Sequence, residues 1–306
     1  MRVALLAGGT GGTKLAHGFD LVLARGDLAV VANVGDDFDL HGLRVAPDID
    51  ALLYTLGGLI DADRGWGVRG DTFTAHELLE RYGEPGWFRV GDADLATHVE
   101  RTRRLRDTSL TDTTAAMAAA LGIASRILPA SDDRLRTRIV TDAGTLEFQD
   151  YFVHLRQEPE VRDVILDGLD SARPTAEVLE AIGAADLVVL GPSNPIVSIG
   201  PILALRGVRE AIQAATAPKL AVSPIVAGRA LKGPADRMLA SLGHESSALG
   251  VARMYVGLVD RFVLDEADAA LAPDVEALGM VAHVLPTVMR SDDDRAALAN
   301  ALMALR

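Results

Sequence analysis

Val3-Ala4-Leu5-Leu6-Ala7-Gly8-Gly9-Thr10-Gly11-Gly12-Thr13-Lys14 decides the fold. Five apolar residues run straight into a glycine-rich turn, and residues 12–24 then carry helical spacing. An unbroken apolar run is the mark of a strand covered on both faces, as in a parallel sheet. Four glycines let the backbone approach a neighbour closely, and N–H groups at a helix N-terminus attract phosphate. The loop is not a P-loop, because no Gly precedes Lys14 in a Gly-Lys-Ser/Thr arrangement. Nor does it spell the G-x-G-x-x-G dinucleotide fingerprint.

Working outward, strands are expected at 28–33, Leu187–Leu190, 220–222, 262–264 and Val281–Leu285. Helical spacing occupies 175–184, 200–215, 234–242, 271–279 and 292–305. This alternation predicts an α/β fold: a Rossmann-like, doubly wound, mostly parallel sheet. Residues 51–122 break the rhythm, with helical patterns at 49–60, 74–82, 93–105 and 112–121. They are expected to form a helical insertion capping the carboxyl edge, where open α/β sheets bind ligands. Residues 138–148 predict a small β-hairpin turning at Asp142-Ala143-Gly144. No linker, repeat or low-complexity tract divides the chain, so a single α/β domain over 1–306 is expected.

The 306 residues carry 30 Lys+Arg against 43 Asp+Glu, a formal net charge of −13, with 49% hydrophobic residues and no cysteine. Such a chain has ample material for a core and excludes disulfide scaffolds, thiolate metal sites and a Cys nucleophile. The acidic balance argues against a general nucleic-acid binder, which needs a basic face to displace counterions. Only Val3–Ala7 is apolar before glycines intervene, too short for a signal core. No window approaches the ~18 apolar residues of a membrane span. Cytoplasmic residence without a membrane partner is the expectation.

Further polar groups follow strand ends. Asn33-Val34-Gly35-Asp36-Asp37 closes the second strand, and Pro47-Asp48-Ile49-Asp50 follows. Between 36 and 50 lie five Asp and one Arg, a local balance of −4. Asp48 is placed to N-cap the next helix. The remaining acids can hold Mg²⁺ against a substrate's phosphates or bind a polar substrate, or can be solvated loop acids. From 89 to 106 there are five Arg, three acids and His98. Asp94, His98 and Arg101 share neighbouring helical positions, either as a solvated face or as a cation cluster for an anion. Gly191-Pro192-Ser193-Asn194-Pro195 and Val222-Ser223-Pro224 repeat the pattern after later strands, although turn chemistry alone can use these residues. Together these loops suggest one cleft. No Gly-x-Ser-x-Gly elbow or His-Glu-x-x-His motif occurs, so direct transfer between two bound substrates is favoured over a covalent intermediate.

The set GGTGGTKLAHGF, NVGDD, HGLRVAPDID, DTF, GDADLATHVERT, FQDYFV, GPSNPIVSIGPIL, AVSPIVAG and KGPA, in this order from residue 3 to about 268, resembles the CofD/FbiA transferases of coenzyme F-420 biosynthesis. The resemblance implies transfer of a phosphoenolpyruvyl or 2-phospholactyl group from its diphosphoguanosine donor to the ribityl terminal hydroxyl of the deazaflavin Fo. GMP is released, and Mg²⁺ and a homodimer are the family expectations. Carried over by motif, Asp50 and Arg89 would contact Fo. Gly9, Thr10, Gly11, Gly12, Lys14, Ser193, Asn194 and Ser223 would line the guanosine diphosphate site. Asp36, Asp37 and Asp50 would hold Mg²⁺, with Asp37 and Asp50 catalytic, while His98 and Arg101 would face the phosphates or the acid. Gly35 stands where that family usually has Ala, and Ala93 where a charged residue is frequent. The alternative is a non-catalytic nucleotide-sugar-binding regulator of the same superfamily. Such regulators continue Asp-Asp-Gly-Gly-Ser-Ser-Gly-Arg, where this chain has Asp36-Asp37-Phe38-Asp39-Leu40-His41-Gly42-Leu43.

Overall fold

The structure is a computed structural model describing residues 1–306. β1 (Val3–Ala7) leads through α1 (Gly9–Val22) to β2 (Leu28–Ala32). A hairpin of β3 (Phe38–Leu40) and β4 (Leu43–Val45) comes next, then α2 (Pro47–Leu56), α3 (Thr74–Arg81), α4 (Asp92–Arg104), α5 (Leu110–Ala120) and β5 (Arg126–Pro129). β6 (Arg136–Thr141), β7 (Gly144–Glu147) and β8 (Val161–Asp167) form a small antiparallel sheet. The second half runs α6 (Ala176–Gly183), β9 (Leu187–Leu190), α7 (Ile199–Ala204), α8 (Val208–Ala214) and β10 (Lys219–Val222). It continues with the ribbon β11 (Ile225–Val226) and β12 (Arg229–Ala230), α9 (Ala235–Ser241) and α10 (Ala248–Met254). β13 (Arg261–Asp265), α11 (Ala272–Glu276), β14 (Val281–Leu285) and α12 (Asp292–Ala304) complete the chain.

The central sheet has seven strands in the order β14-β13-β10-β9-β1-β2-β5, all parallel. Val3 is in register with Leu28 on one side and Leu187 on the other. Residues Val3–Ala7, Leu28–Ala32 and Leu187–Leu190 are buried throughout, which is why their apolar runs do not alternate. The chain builds outward from β1 to β2 and β5, then returns to β9 and builds the other way. The order therefore reverses between β1 and β9, the point beyond whose carboxyl ends open α/β sheets bind their ligands.

Several expectations need correcting. Residues 200–215 are two helices, because Gly207 sits at φ 100° and breaks the ladder before α8. The hairpin expected at 138–148 is present, and β8 adds a third strand alongside β6. β5 has no signal in the sequence because its four residues are bounded by Arg126 and Pro129; an edge strand tolerates both. With β5 in the sheet, the helices between 47 and 120 belong to the long connection from β2 to its neighbour β5. Within that connection α4 packs on β4 and α5 on β5. No helix is long and apolar enough to cross a membrane.

Candidate active site

The loops after β1 and β9 meet at the reversal point. A Cβ on Gly11 would collide with the Pro192 carbonyl oxygen, and one on Gly12 would stand 2.5 Å from Ser193 Oγ. These two glycines are thus required by close packing of the two loops. The Gly8 N–H donates to Ser193 Oγ at 3.2 Å, and the Gly9 N–H donates to Asp48 Oδ1 at 2.6 Å. Asp48 is therefore not the N-cap of its own helix; α2 starts at Pro47 without a side-chain cap. Its carboxylate instead sits at the N-terminus of α1, where the exposed backbone donors favour an anion. Asn33 ties the neighbourhood together. Its Nδ2 donates to Asp48 Oδ2 at 2.9 Å and to the Val197 carbonyl at 3.2 Å, and its Oδ1 accepts from Gly35 N–H at 2.8 Å.

Asp36 and Asp37 lie just beyond β2, 8% and 2% exposed. Asp36 Oδ1 and both Asp37 carboxylate oxygens are buried without a hydrogen-bond partner. Burial raises the Asp37 carboxyl to about 7 against the opposing pull of Arg136, Arg44 and Arg101. Burial, together with the Asp48 and Asp37 carboxylates, pushes Asp36 well above the ordinary carboxylate range. Arg44 reaches Asp37 only at 3.7 Å, while its Nε stands 3.2 Å from Asp39. Three buried oxygens of these two adjacent acids thus go without a hydrogen bond, and the cations around them, with Arg44 at 3.7 Å, offset burial only in part.

Asp50 is placed differently. It projects from the first turn of α2 into α4, where the fully buried Arg101 donates to both of its oxygens. His98, one turn earlier on α4, has Nδ1 3.6 Å from Asp50 and Nε2 3.5 Å from Asp94. Tyr54, one turn after Asp50, donates its hydroxyl to Asp94 at 2.5 Å. The i, i+4 spacings Asp50/Tyr54 and Asp94/His98 thus make one buried polar seam between two helices. His98 and Arg101 belong to this seam.

The other residues singled out in the sequence lie around these two clusters or outside them. Thr10 is half-buried at the start of α1, and Lys14 donates its ammonium to the Met289 carbonyl at 3.0 Å. Asn194 Oδ1 accepts from Ile196 and Val197 N–H, and Ser223 Oγ is engaged with the backbone of Ile225. Arg89 is on an exposed loop, its guanidinium 3.9 Å above the Phe73 ring, and it joins neither cluster. The DTF and GDAD motifs cap each other's helices. Asp71 accepts from Ala93 and Asp94 N–H of α4, and Asp92 accepts from Thr74 and Ala75 N–H of α3. Asn33, Asp48, Arg44 and Arg136 carry no sequence signal of a site, because only the folded chain brings 33, 48 and 136 around residues 36 and 37.

No three His, Asp or Glu side chains converge in a metal-ligating group. Mg²⁺ is usually held by one or two carboxylates together with substrate phosphates and water, so a complete protein cage is not required. The unpartnered oxygens of Asp36 and Asp37 fit that donor set. Asp50 fits it less well, since Arg101 takes both of its oxygens.

An α/β sheet whose strand order reverses beside a glycine loop, with buried carboxylate oxygens left without hydrogen bonds nearby, is the architecture of a ligand-binding doubly wound protein. Residues 3–283 match the family model described as 2-phospho-L-lactate transferase CofD. The phosphoenolpyruvate transferase of Streptomyces griseus is 43% identical over 100% of this chain and 98% of its own length. The 2-phospho-L-lactate transferase of Methanothermobacter thermautotrophicus is 39% identical over 98% of this chain and 97% of its own. A Bacillus halodurans protein of known crystal structure superposes with a TM-score of 0.68 at 18% identity, covering 99% of both chains, which speaks to the fold. The chain belongs to the CofD family, the transferases of coenzyme F-420 biosynthesis.

Proposed function

We propose that this transferase moves a phosphoenolpyruvyl or 2-phospholactyl group from its diphosphoguanosine donor to the terminal ribityl hydroxyl of Fo. The hydroxyl oxygen attacks the phosphorus that bears the three-carbon acid, and the bond from that phosphorus to the bridging oxygen breaks. GMP leaves with the bridging oxygen, and the hydroxyl proton passes to a carboxylate or to water. Phosphoryl transfer of this kind depends on positioning and charge neutralisation more than on covalent chemistry.

The observation that carries the reading is the pair of buried carboxylates Asp36 and Asp37, three of whose oxygens lack hydrogen bonds, on the loop after β2 next to the β1/β9 reversal. They would hold Mg²⁺, which when bound neutralises charge on the diphosphate. The glycine loop and Ser193 lie on the side of the reversal suited to the guanosine diphosphate. Asp50, fixed by Arg101, supports the acceptor side. Its role is to orient the attacking hydroxyl through the seam it anchors. Arg89 would reach Fo from its exposed loop.

The test is mass spectrometry of the products after incubation with Fo, Mg²⁺ and each diphosphoguanosine donor. The expected product carries Fo joined by a phosphodiester to the three-carbon acid, with equimolar GMP. No such adduct with any of the enolpyruvyl, lactyl or glyceryl donors would overturn the reading.

A further inference from the structure

Arg136 opens β6 and is 4% exposed, yet no carboxylate pairs with it. Its Nη1 donates to the adjacent Leu135 carbonyl at 3.1 Å, and its Nη2 is buried without any partner. A buried guanidinium nearly always satisfies its fork of donors with a carboxylate or phosphate, because leaving a charge unpaired in the interior is costly. Arg136 also lines a cavity of about 230 Å³ with Phe38, Asp39, Trp87, Arg134 and Gln149. Gln149 is 5% exposed and donates to the Asp36 backbone carbonyl at 3.4 Å, so the cavity adjoins the two buried acids. The Thr137 N–H donates to the Gly35 carbonyl at 2.7 Å, which fixes the start of β6 against the same loop.

The charged groups facing this guanidinium are mixed. Arg44 and Arg134 oppose its charge, Asp37 and Asp39 favour it, and Glu147 and Asp150 also line the cavity. Asp37 is therefore a neighbour in the field, not a hydrogen-bonded partner. A cation bound at Asp36 and Asp37 would draw on that carboxylate and leave the Arg136 fork freer still for an incoming anion. Both groups named by the relatives, phosphoenolpyruvate and 2-phospholactate, place a carboxylate two bonds from the phosphate ester oxygen. A site that holds the phosphate at the acids through a cation needs a planar, bidentate donor a few ångströms away for that carboxylate.

We infer that Arg136 is the carboxylate anchor of the donor's three-carbon acid, with the Phe38–Trp87 cavity receiving the acid's carbon skeleton. This rests on the transferase reading above. It adds a residue that the glycine-loop and acidic motifs do not supply, and it accounts for an unpaired charge within the fold.

Calorimetry with phosphoenolpyruvate and with isopropenyl phosphate, which lacks the carboxylate, tests it in the presence of Mg²⁺. The wild-type protein is expected to prefer phosphoenolpyruvate by about 10- to 100-fold, the range of a charge-assisted bidentate pair. In Arg136→Gln the preference falls to near unity while isopropenyl phosphate binding is unchanged. Arg136→Lys keeps the charge but not the fork and retains only part of the preference; it also serves if the Gln variant fails to fold. A wild-type protein that does not discriminate, or a folded variant that discriminates as well as the wild type, overturns the assignment. Product analysis with Fo separates the two readings. Failure of transfer with Arg136-dependent carboxylate preference intact removes the transferase reading alone. Normal transfer without that dependence removes only the anchor.

Discussion

Arg101 and Asp50, on two different helices, form a buried two-point ion pair: both terminal nitrogens of a guanidinium with 0% exposure donate to the two carboxylate oxygens. The pair joins α2 to α4 and so locks the connection between β2 and β5 over the strand ends. Removing one partner strands the other charge inside the protein. Arg101→Ala is expected to lower unfolding stability by about 3–5 kcal/mol, read by urea denaturation. Asp50→Asn should cost less than Arg101→Ala, because the amide oxygen still accepts one bond. Its turnover with Fo should fall by about 100-fold. Unchanged turnover in a folded Asp50→Asn protein would remove Asp50 from the acceptor side.

Asp37 gives the apo protein a pH dependence whose sign is fixed by burial. Its folded-state value, raised to about 7, lies above that of an unfolded aspartate, near about 3.9. The folded chain therefore binds more protons between those limits, and stability is lost as pH rises through that window. Asp36, Asp48 and Asp94, all raised mainly by burial, act in the same direction. Mg²⁺ binds the ionised form, so its stabilising effect should grow from pH 5 to pH 8. Thermal melts with and without Mg²⁺ across that range check this, and Asp37→Asn should flatten the Mg²⁺-dependent part. A Mg²⁺ shift that is larger at pH 5 would count against Asp37 as a ligand.

Gly11 and Gly42 separate close packing from backbone strain. Gly11 faces the Pro192 carbonyl, so Gly11→Ala must push the β1 and β9 loops apart, and a loss of about 1–3 kcal/mol is expected from overpacking of this kind. Gly42 has φ +75° with nothing within 4 Å of its would-be Cβ. Gly42→Ala should therefore cost only about 1 kcal/mol of left-handed strain. Equal losses in parallel denaturation curves would show that the loops can part without penalty.

Tyr54 supplies the hydroxyl that Asp94 accepts at 2.5 Å. Tyr54→Phe keeps the ring and leaves the buried acid short of a donor, at a cost of about 1–3 kcal/mol. Asp94 should then titrate higher still, because the lost hydrogen bond is one of the interactions opposing its burial. Carboxyl-detected NMR titration of wild type and variant reads that movement. A lower value in the variant would exclude the hydroxyl as the stabilising donor.

Val3–Ala7 and the glycines after it were sufficient to announce a parallel α/β sheet, because a strand buried on both faces has no polar residue to hide. The later strand 187–190 is legible for the same local reason, whereas 281–285 is a partly exposed edge strand whose valines and leucine mark it. The ordered motifs also carried the family, since each is a contiguous run. Residues 126–129 were not legible, because a four-residue edge strand bounded by Arg and Pro has no periodicity of its own. Asp48 looked like the cap of its own helix, yet it completes the N-terminus of another one 39 residues away in sequence. Asp50 shares the DID run with it, but Arg101 claims its carboxylate, whereas three buried oxygens of Asp36 and Asp37 are left without a hydrogen bond. Composition and periodicity report what each segment must bury. Which acid is neutralised and which stays free for a cation depends on partners from distant segments, and only tertiary packing assigns those.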